Sequence, residues 1–499
     1  MSPPHLSRFE PPNPDDLGGI YANVNGAPVP NPSAYQRIGP SGPVLLQDTH
    51  LIELLSHFNR ERIPERTVHS KGSGAHGVFR CSKSISDISM AKIFGTVGKE
   101  CPLTVRFSTV GGEAGSSDLA RSPRGFSIKL KTEEGNLDWV FLNSPVFFIR
   151  DPPKFVYINH VTKRDPMTNL TIDDDSTMLW DFFGQNPETN HQVVHLFGDR
   201  GIPQGWRHMN GYSCHTYKFY TADGRWRYVQ IHMKSKQGVK TFTSQEAASL
   251  SPDWAQNDLF QAISRGDFPK WEIGYQSMTQ EEALSSGINV FDMTKTWPHA
   301  KYPITWFGEM ELNKNATNYF AEVEQAAFAP SNLISGWAPS ADPVLQARLF
   351  GYPDAARYRL GVNWQQIPVN RPMVPYGFDN FHRDGAGVMD DQGARPNYPG
   401  DVAPLTYAAP PADFSKIYSD YTGSAVNAIS TVTSDDFKEA RNLYRNIMQP
   451  DARERLVNNV ASSMKKVRKR EQEKVWTKAM AVWKQVDDEL AQKILKQLA

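Results

Sequence analysis

The chain has 499 residues, room for roughly three domain-sized units and a large buried core. Lysine plus arginine and aspartate plus glutamate both number 54, so the formal net charge is zero. That balance excludes the global field of a nucleic-acid or acidic-lipid binder. 

The opening, MSPPHLSRFEPPNPDD, lacks the basic and apolar regions of a secretory signal. Residues 1 to about 45 are rich in Pro, Gly and Asn and read as an extended arm, either laid on a partner subunit or a disordered tail. "RTVHSKGSGAHGVF" (Arg66–Phe79) follows. Its Gly72-x-Gly74-x-x-Gly77 has the letters of a dinucleotide fingerprint, but the residues after it read as extended, where that fingerprint needs a helix. The glycines are better suited to a tight approach beside something bulky. His69, in a strand-like context, is then either structural or a catalytic base.

From about 60 to 310 short strands dominate. "LTVRFSTV" (Leu103–Val110), "RGFSIKLKT" (Arg124–Thr132) and "RWRYVQIHMKS" (Arg225–Ser235) alternate apolar and polar residues between turn signals, which predicts an antiparallel sandwich or barrel. In "DWVFLNSPVFFIRDPPKF" (Asp138–Phe155), Asn143 is an amide among large apolar side chains. It is either a turn residue before Pro145 or an amide aimed into a pocket walled by Phe147, Phe148 and Phe155. The apolar stretch Trp139–Ile149 is too short to span a bilayer. A helix is predicted over Thr243–Ile263, with Ser244 and Glu246 at its start.

"RLFGYP" (Arg348–Pro353) sets Arg348 and Tyr352 at i and i+4, on one helical face, with Pro353 expected to end the helix soon afterwards. A guanidinium beside a phenol favours the phenolate, a hard ligand for ferric iron. The other reading is an ordinary Tyr/Arg pair. Arg359 lies further on in a register that Pro353 obscures. Residues 374 to 414 are Pro- and Gly-rich and read as a long wrapping connection. From about 434 the period is helical: Phe437, Ala440, Tyr444 and Ile447 share one face, Leu456, Val460, Met464 and Val467 another, and Trp476, Met480, Trp483 and Leu490 a third. Asp451 and Glu454 have capping-box spacing. The basic run Lys465–Arg470 reads as a solvated helix face. Cys81, Cys101 and Cys214 form no disulfide framework and favour a reducing, intracellular compartment. The ending Lys496-Gln497-Leu498-Ala499 is not the S-K-L peroxisomal address, though a degenerate version stays open.

Taken together, "RFSTV", "PRGFSIK", "FFIRDP", "DRGIPQGWRHMNGY", "WPHAKYP", "NYFAEVEQAAF" and "RLFGYPDAARYRLG" resemble the monofunctional haem catalases, small-subunit type, over roughly residues 45 to 370. The resemblance implies an α+β fold: an antiparallel β-barrel core, a long wrapping segment and a C-terminal helical bundle. The expected divisions are an arm over 1–60, a barrel haem domain over 61–310, a wrapping connection carrying the proximal Tyr helix over 311–430, and a helical domain over 431–499. It implies disproportionation of hydrogen peroxide to water and dioxygen through an oxoferryl intermediate.

By motif, Tyr352 becomes the axial ligand of haem b and Arg348 keeps it ionised. His69 is the distal base, Ser108 its hydrogen-bond partner, and Asn143 the distal amide. Val68 narrows the channel and Phe155 stacks on the haem. Arg66, Arg106 and Arg359 pair with the propionates. The family often binds NADPH, at positions that here are His191, Arg200, Asn210, Tyr212, Lys234, Trp297 and His299. Gly198, His195 and Thr296 depart from the usual serine, aromatic and valine, which leaves NADPH binding open. A homotetramer with exchanged N-terminal arms is also implied, in the cytosol or peroxisomal matrix. Two rivals are a catalase-fold enzyme acting on lipid hydroperoxides and a non-enzymatic haem or NADPH binder.

Overall fold

The computed structural model describes residues 19–376, 380–390, 392–408 and 414–499. The start of the expected arm lies outside them. The chain divides into two units, with the boundary after Pro64. In the first, isolated bridges join Ala22 to Pro28 and Arg37 to Val44, and a helix runs over Thr49–Phe58. Asp48 caps that helix by accepting from Leu51 N–H at 3.2 Å, while its other oxygen takes Gln36 N–H at 2.7 Å. No residue of the helix is buried.

The second unit is built on ten strands: β1 (Gly72–Cys81), β2 (Glu100–Thr109), β3 (Arg124–Thr132), β4 (Gly135–Leu142), β5 (Gly211–Tyr212), β6 (Tyr217–Tyr220), β7 (Trp226–Ser235), β8 (Lys270–Met278), β9 (Thr305–Asn315) and β10 (Trp337–Pro339). All neighbours are antiparallel. The order β7-β5-β4-β3-β2-β1-β9-β8 closes on itself through the β7–β8 pairing, giving an eight-stranded barrel. β6 and β10 extend the sheet from β7. The barrel therefore runs to Asn315, past residue 310, and the sheet, though not the closed barrel, takes β10 from the wrapping stretch.

Side-chain alternation decides where chemistry can sit. Leu103, Val105 and Phe107 of β2, Phe126, Ile128 and Leu130 of β3, and Leu137, Trp139 and Phe141 of β4 all enter one buried cluster with Trp206, Trp271, Phe307 and Trp337. The barrel is packed solid with these rings. The intervening residues Arg106, Ser108, Gly125, Ser127, Val140 and Leu142 lie in register on the outer face. That face is itself covered by protein, which is why its polar residues carry the site.

β3 forms as expected, and β2 and β7 match to within a few residues. Five local expectations are corrected. The stretch Thr243–Ile263 is two helices, Ser244–Ala248 and Trp254–Ser264, split ahead of Pro252–Asp253; the first is capped by Thr243 with Glu246, not Ser244. Asp451 makes no cap: the helix Pro450–Met464 starts at Gln449, with Pro450 at its first position, and Asp451 pairs with Arg455 at 2.7 Å instead. The third C-terminal face spans two helices, Gln472–Val486 and Asp488–Leu498, broken where Asp487 caps the second. Ile447 is exposed, at the end of a wider turn over Leu443–Ile447. The basic run is mostly exposed, as expected, but it follows the end of the Pro450–Met464 helix and forms no helical face. Arg468 reaches Asp165 and Asp175, both at 3.3 Å, and Lys466 bonds the Asp173 carbonyl.

The most consequential correction concerns Pro353. The helix runs unbroken over Pro343–Leu360 with Pro353 inside it, and stops only at Gly361, whose φ of 99° suits glycine. A proline removes one N–H from the helical ladder, and here the packed remainder of the helix outweighs that loss. Arg348, Tyr352 and Arg359 consequently share one rod.

Candidate active site

His69 lies just before β1 and not in a strand. Its backbone φ is 68°, a left-handed conformation uncommon for a side-chain-bearing residue and characteristic of functional positions. Arg106 Nη1 donates to its carbonyl at 2.7 Å, and its own N–H donates to Val110 O at 3.1 Å, so the turn is held from both sides. The ring's Nδ1 meets Ser108 Oγ at 2.9 Å. Ser108 stands in register with Gly125 on β3. A Cβ at Gly125 would lie 2.5 Å from Ser108 Oγ and 2.7 Å from His69 Nδ1, so only glycine leaves room for the imidazole.

Burial, with Arg106, Arg348 and Arg66 adding to it, pushes the His69 pKa from 6.5 down to about 3. The imidazole is therefore neutral throughout the ordinary pH range. The native pKa lies below the unfolded one, so this group's contribution to stability is complete above about 6.5 and is lost as pH falls toward about 3. Turnover measured as kcat/KM is expected to stay flat with respect to His69 from about pH 5 to 8, and to fall only below about pH 4. An inflection near 6.5 would show a solvated imidazole instead.

Asn143 follows β4 immediately and is buried. Its backbone N–H donates to Arg124 O at 2.9 Å, and its Oδ1 accepts the Arg124 backbone N–H at 2.8 Å. That return bond fixes the amide's orientation, leaving the Nδ2 hydrogens to act as donors. Phe155, in the helix Pro153–Val161, packs on Phe147 with ring centres 6.2 Å apart. Val68 is half-buried beside His69.

Across the same outer barrel face, Arg348 Nη2 donates to Val140 O and to Tyr352 Oη, each at 2.9 Å. The guanidinium also lies 4.7 Å from the Tyr352 ring centre. Burial works against the Arg348 charge, but the phenol oxygens of Tyr352 and Tyr217 outweigh it and hold its pKa above the ordinary value. The helix that carries the pair is anchored at its start by Asp342. This carboxylate accepts from Val344 and Leu345 N–H at 3.0 Å each, and bonds His215 Nδ1 at 2.7 Å. Sequence reasoning missed Asp342 and His215, although the Asp342-Pro343 pair was a readable helix start.

Arg66 and Arg359 converge on the segment 323–326, and Arg106 lies close enough to Arg66 to repel it. Arg106 donates to His69 O and Ser70 O, while its Nε is buried without a partner. Burial, then Arg106 and Arg359, drive the Arg66 pKa well below its usual value. Three neighbouring guanidiniums that share the one Glu324 carboxylate, with no ion pair to Arg106 among the described residues, are what an anionic group with carboxylates would complete. Glu324, which reaches Arg66 and Arg359, was not anticipated.

The remaining candidates gather elsewhere. His191, Arg200, Tyr212, Trp297 and His299 line a cavity of about 590 Å³. Asn210 and Lys234 do not line it; Asn210 donates to Tyr212 Oη at 3.1 Å, and Lys234 is exposed on β7. The departures His195, Gly198 and Thr296 are all in the wall. Glu439 joins them, accepting the Thr296 hydroxyl at 2.7 Å and lying 3.4 Å from His191 Nδ1.

Comparison with known proteins bears on this geometry. The model of the family described as Catalase matches residues 22–403, and that described as Catalase-related immune-responsive matches residues 430–498. A peroxisomal catalase of Candida albicans is 49% identical over 450 residues, covering 89% of this chain and 92% of its own. Peroxisomal catalase A of Saccharomyces cerevisiae is 46% identical over 450 residues, covering 88% and 87%. The solved structure of catalase A from Saccharomyces cerevisiae superposes with a TM-score of 0.92 at 43% identity, over 96% of this chain and 99% of that one. A bacterial catalase superposes at 0.90 with 36% identity, over 98% and 97%.

Proposed function

Because the chain belongs to the catalase family, we propose that His69, Ser108 and Asn143 handle peroxide in it, that Tyr352 ligates iron, and that Arg66, Arg106 and Arg359 grip the haem carboxylates. The chain is a haem enzyme that disproportionates hydrogen peroxide to water and dioxygen. One observation carries the assignment of residues: a neutral imidazole and an amide with its oxygen already engaged share the outer barrel face with an Arg-paired phenol.

The side chains have definite tasks. With Ser108 bonded at Nδ1, His69 presents Nε2 to substrate; for Nε2 to accept a proton, Nδ1–H donates to Ser108 Oγ. His69 takes a proton from one peroxide oxygen and returns it to the other as that oxygen departs as water. Asn143 Nδ2–H donates to the peroxide and orients it. Val68, Phe147 and Phe155 exclude bulk water and larger hydroperoxides. Bound haem supplies the two-electron redox chemistry that no side chain here can. A second peroxide then gives up both hydrogens, which leave with the first peroxide's remaining oxygen as a second water, and itself departs as dioxygen, so His69 ends in its starting protonation state. Release of oxygen from hydrogen peroxide by purified protein showing a ferric haem spectrum tests the reading. Vigorous release from haem-free protein would end it, and faster loss of a fatty-acid hydroperoxide than of hydrogen peroxide would favour the lipid rival.

The finer assignments are haem b, the small-subunit type, and NADPH in the 590 Å³ cavity. Five wall residues and the cavity's size support NADPH; the Glu439 carboxylate in the same wall works against a phosphate-bearing ligand. A homotetramer with arm exchange is supported by the first unit's exposed apolar residues, among them Ile20, Leu46 and Phe58. Relatives named as peroxisomal catalases support the peroxisomal matrix over the cytosol. Among the described residues no helix is long and apolar enough to cross a membrane.

A further inference from the structure

Glu324 takes no part in the chemistry above, yet it sits at the junction of two of the three gripping arginines. It ends the short helical turn Phe320–Glu324. That turn is tied down by Glu322, which accepts from Thr317 N–H at 3.0 Å and Asn318 N–H at 2.9 Å and bonds His76 Nε2 at 2.7 Å. A single oxygen of Glu324, Oε1, reaches Arg359 Nη2 at 2.9 Å and Arg66 Nη1 at 3.4 Å. Its backbone carbonyl accepts from the same two residues, Arg66 Nη2 at 2.8 Å and Arg359 Nη2 at 3.2 Å. Ala326 O takes a further bond from Arg66 at 2.8 Å. Arg66 comes from the segment before β1, and Arg359 from the far end of the Tyr352 helix. Without a shared counter-charge their guanidiniums repel each other and Arg106.

We propose that Glu324 is a positioning residue for the haem: by bridging Arg66 and Arg359 through one oxygen, it holds both guanidiniums at the spread that two carboxylates require. The proposal rests on the reading of Arg66, Arg106 and Arg359 as the haem-carboxylate grip. It differs from a merely structural role in one respect. A prop under the pocket would affect every porphyrin alike, whereas a positioning residue matters only to a porphyrin with free carboxylates.

The test uses the full-length chain loaded either with haem or with haem dimethyl ester, and follows transfer of each to an excess of a haem-scavenging apoglobin. Wild type should release the ester at least about tenfold faster than haem, because a charged Arg–carboxylate contact is worth roughly that factor. In Glu324→Gln the ratio should shrink to within about threefold, through faster haem release. Glu324→Asp keeps the charge but draws it back by one methylene, and should give an intermediate ratio even if the Gln variant fails to fold. A wild-type ratio in either variant would overturn the proposal, whether both rates stay put or rise together. A ratio near one in the wild type would overturn the carboxylate grip itself, and the proposal with it.

Discussion

Replacing Tyr352 with phenylalanine is expected to cost the chain its haem. The substitution deletes one oxygen and leaves the ring, which packs against Ala327, Ala329, Ala356 and Trp364. Arg348 Nη2 keeps the Val140 carbonyl as a partner after losing Tyr352 Oη. The fold should therefore survive, and the loss should fall on iron. Disturbing a residue that merely supports a metal ligand weakens binding by about 10- to 100-fold, so removing the proposed ligand itself should exceed that. Haem content per chain and the ferric absorption spectrum are the readouts, with circular dichroism as a control for folding. Full haem stoichiometry with an unchanged spectrum would move the ligand elsewhere.

Removing the His69 imidazole should spare haem and abolish most turnover. General acid–base catalysis contributes about 10²- to 10⁴-fold, and no other titratable side chain bonds to Ser108 among the described residues. His69→Ala tests this directly. His69→Asn is the better companion, because asparagine tolerates the left-handed backbone that holds the position at φ 68° and keeps a polar side chain without a comparable base. Both variants should bind haem and release oxygen at a small fraction of the wild-type rate. Activity within a few-fold of wild type would reassign the base.

The parts of the site written as local spacing were legible in the chain. Arg348 and Tyr352 at i and i+4 meet at 2.9 Å as helix geometry requires. The alternation of β2 and β3 placed Ser108 and Arg106 on the face opposite Phe107. What depends on tertiary contact was hidden. Glu324 is one acid among many until the fold brings residues 66 and 359 to it. His215 carries no local mark of its role, because its partner Asp342 lies 127 positions away. His69 was read in a strand-like context from its neighbours, and nothing local marks a single left-handed residue. Pro353 was misjudged for a related reason. A proline's cost in a helix is local, while the packing that offsets it is not.

That uninterrupted helix has a thermodynamic consequence. Tyr352 and Arg359 are seven residues apart on one rigid element, about 10 Å along its axis. On the proposed roles of Tyr352 and Arg359, iron coordination and the hold on a carboxylate edge would be mechanically linked, so that a tilt loosening one would loosen the other. Cofactor escape should follow a single exponential with no half-detached species, and its rate should track the opening of that element in hydrogen exchange.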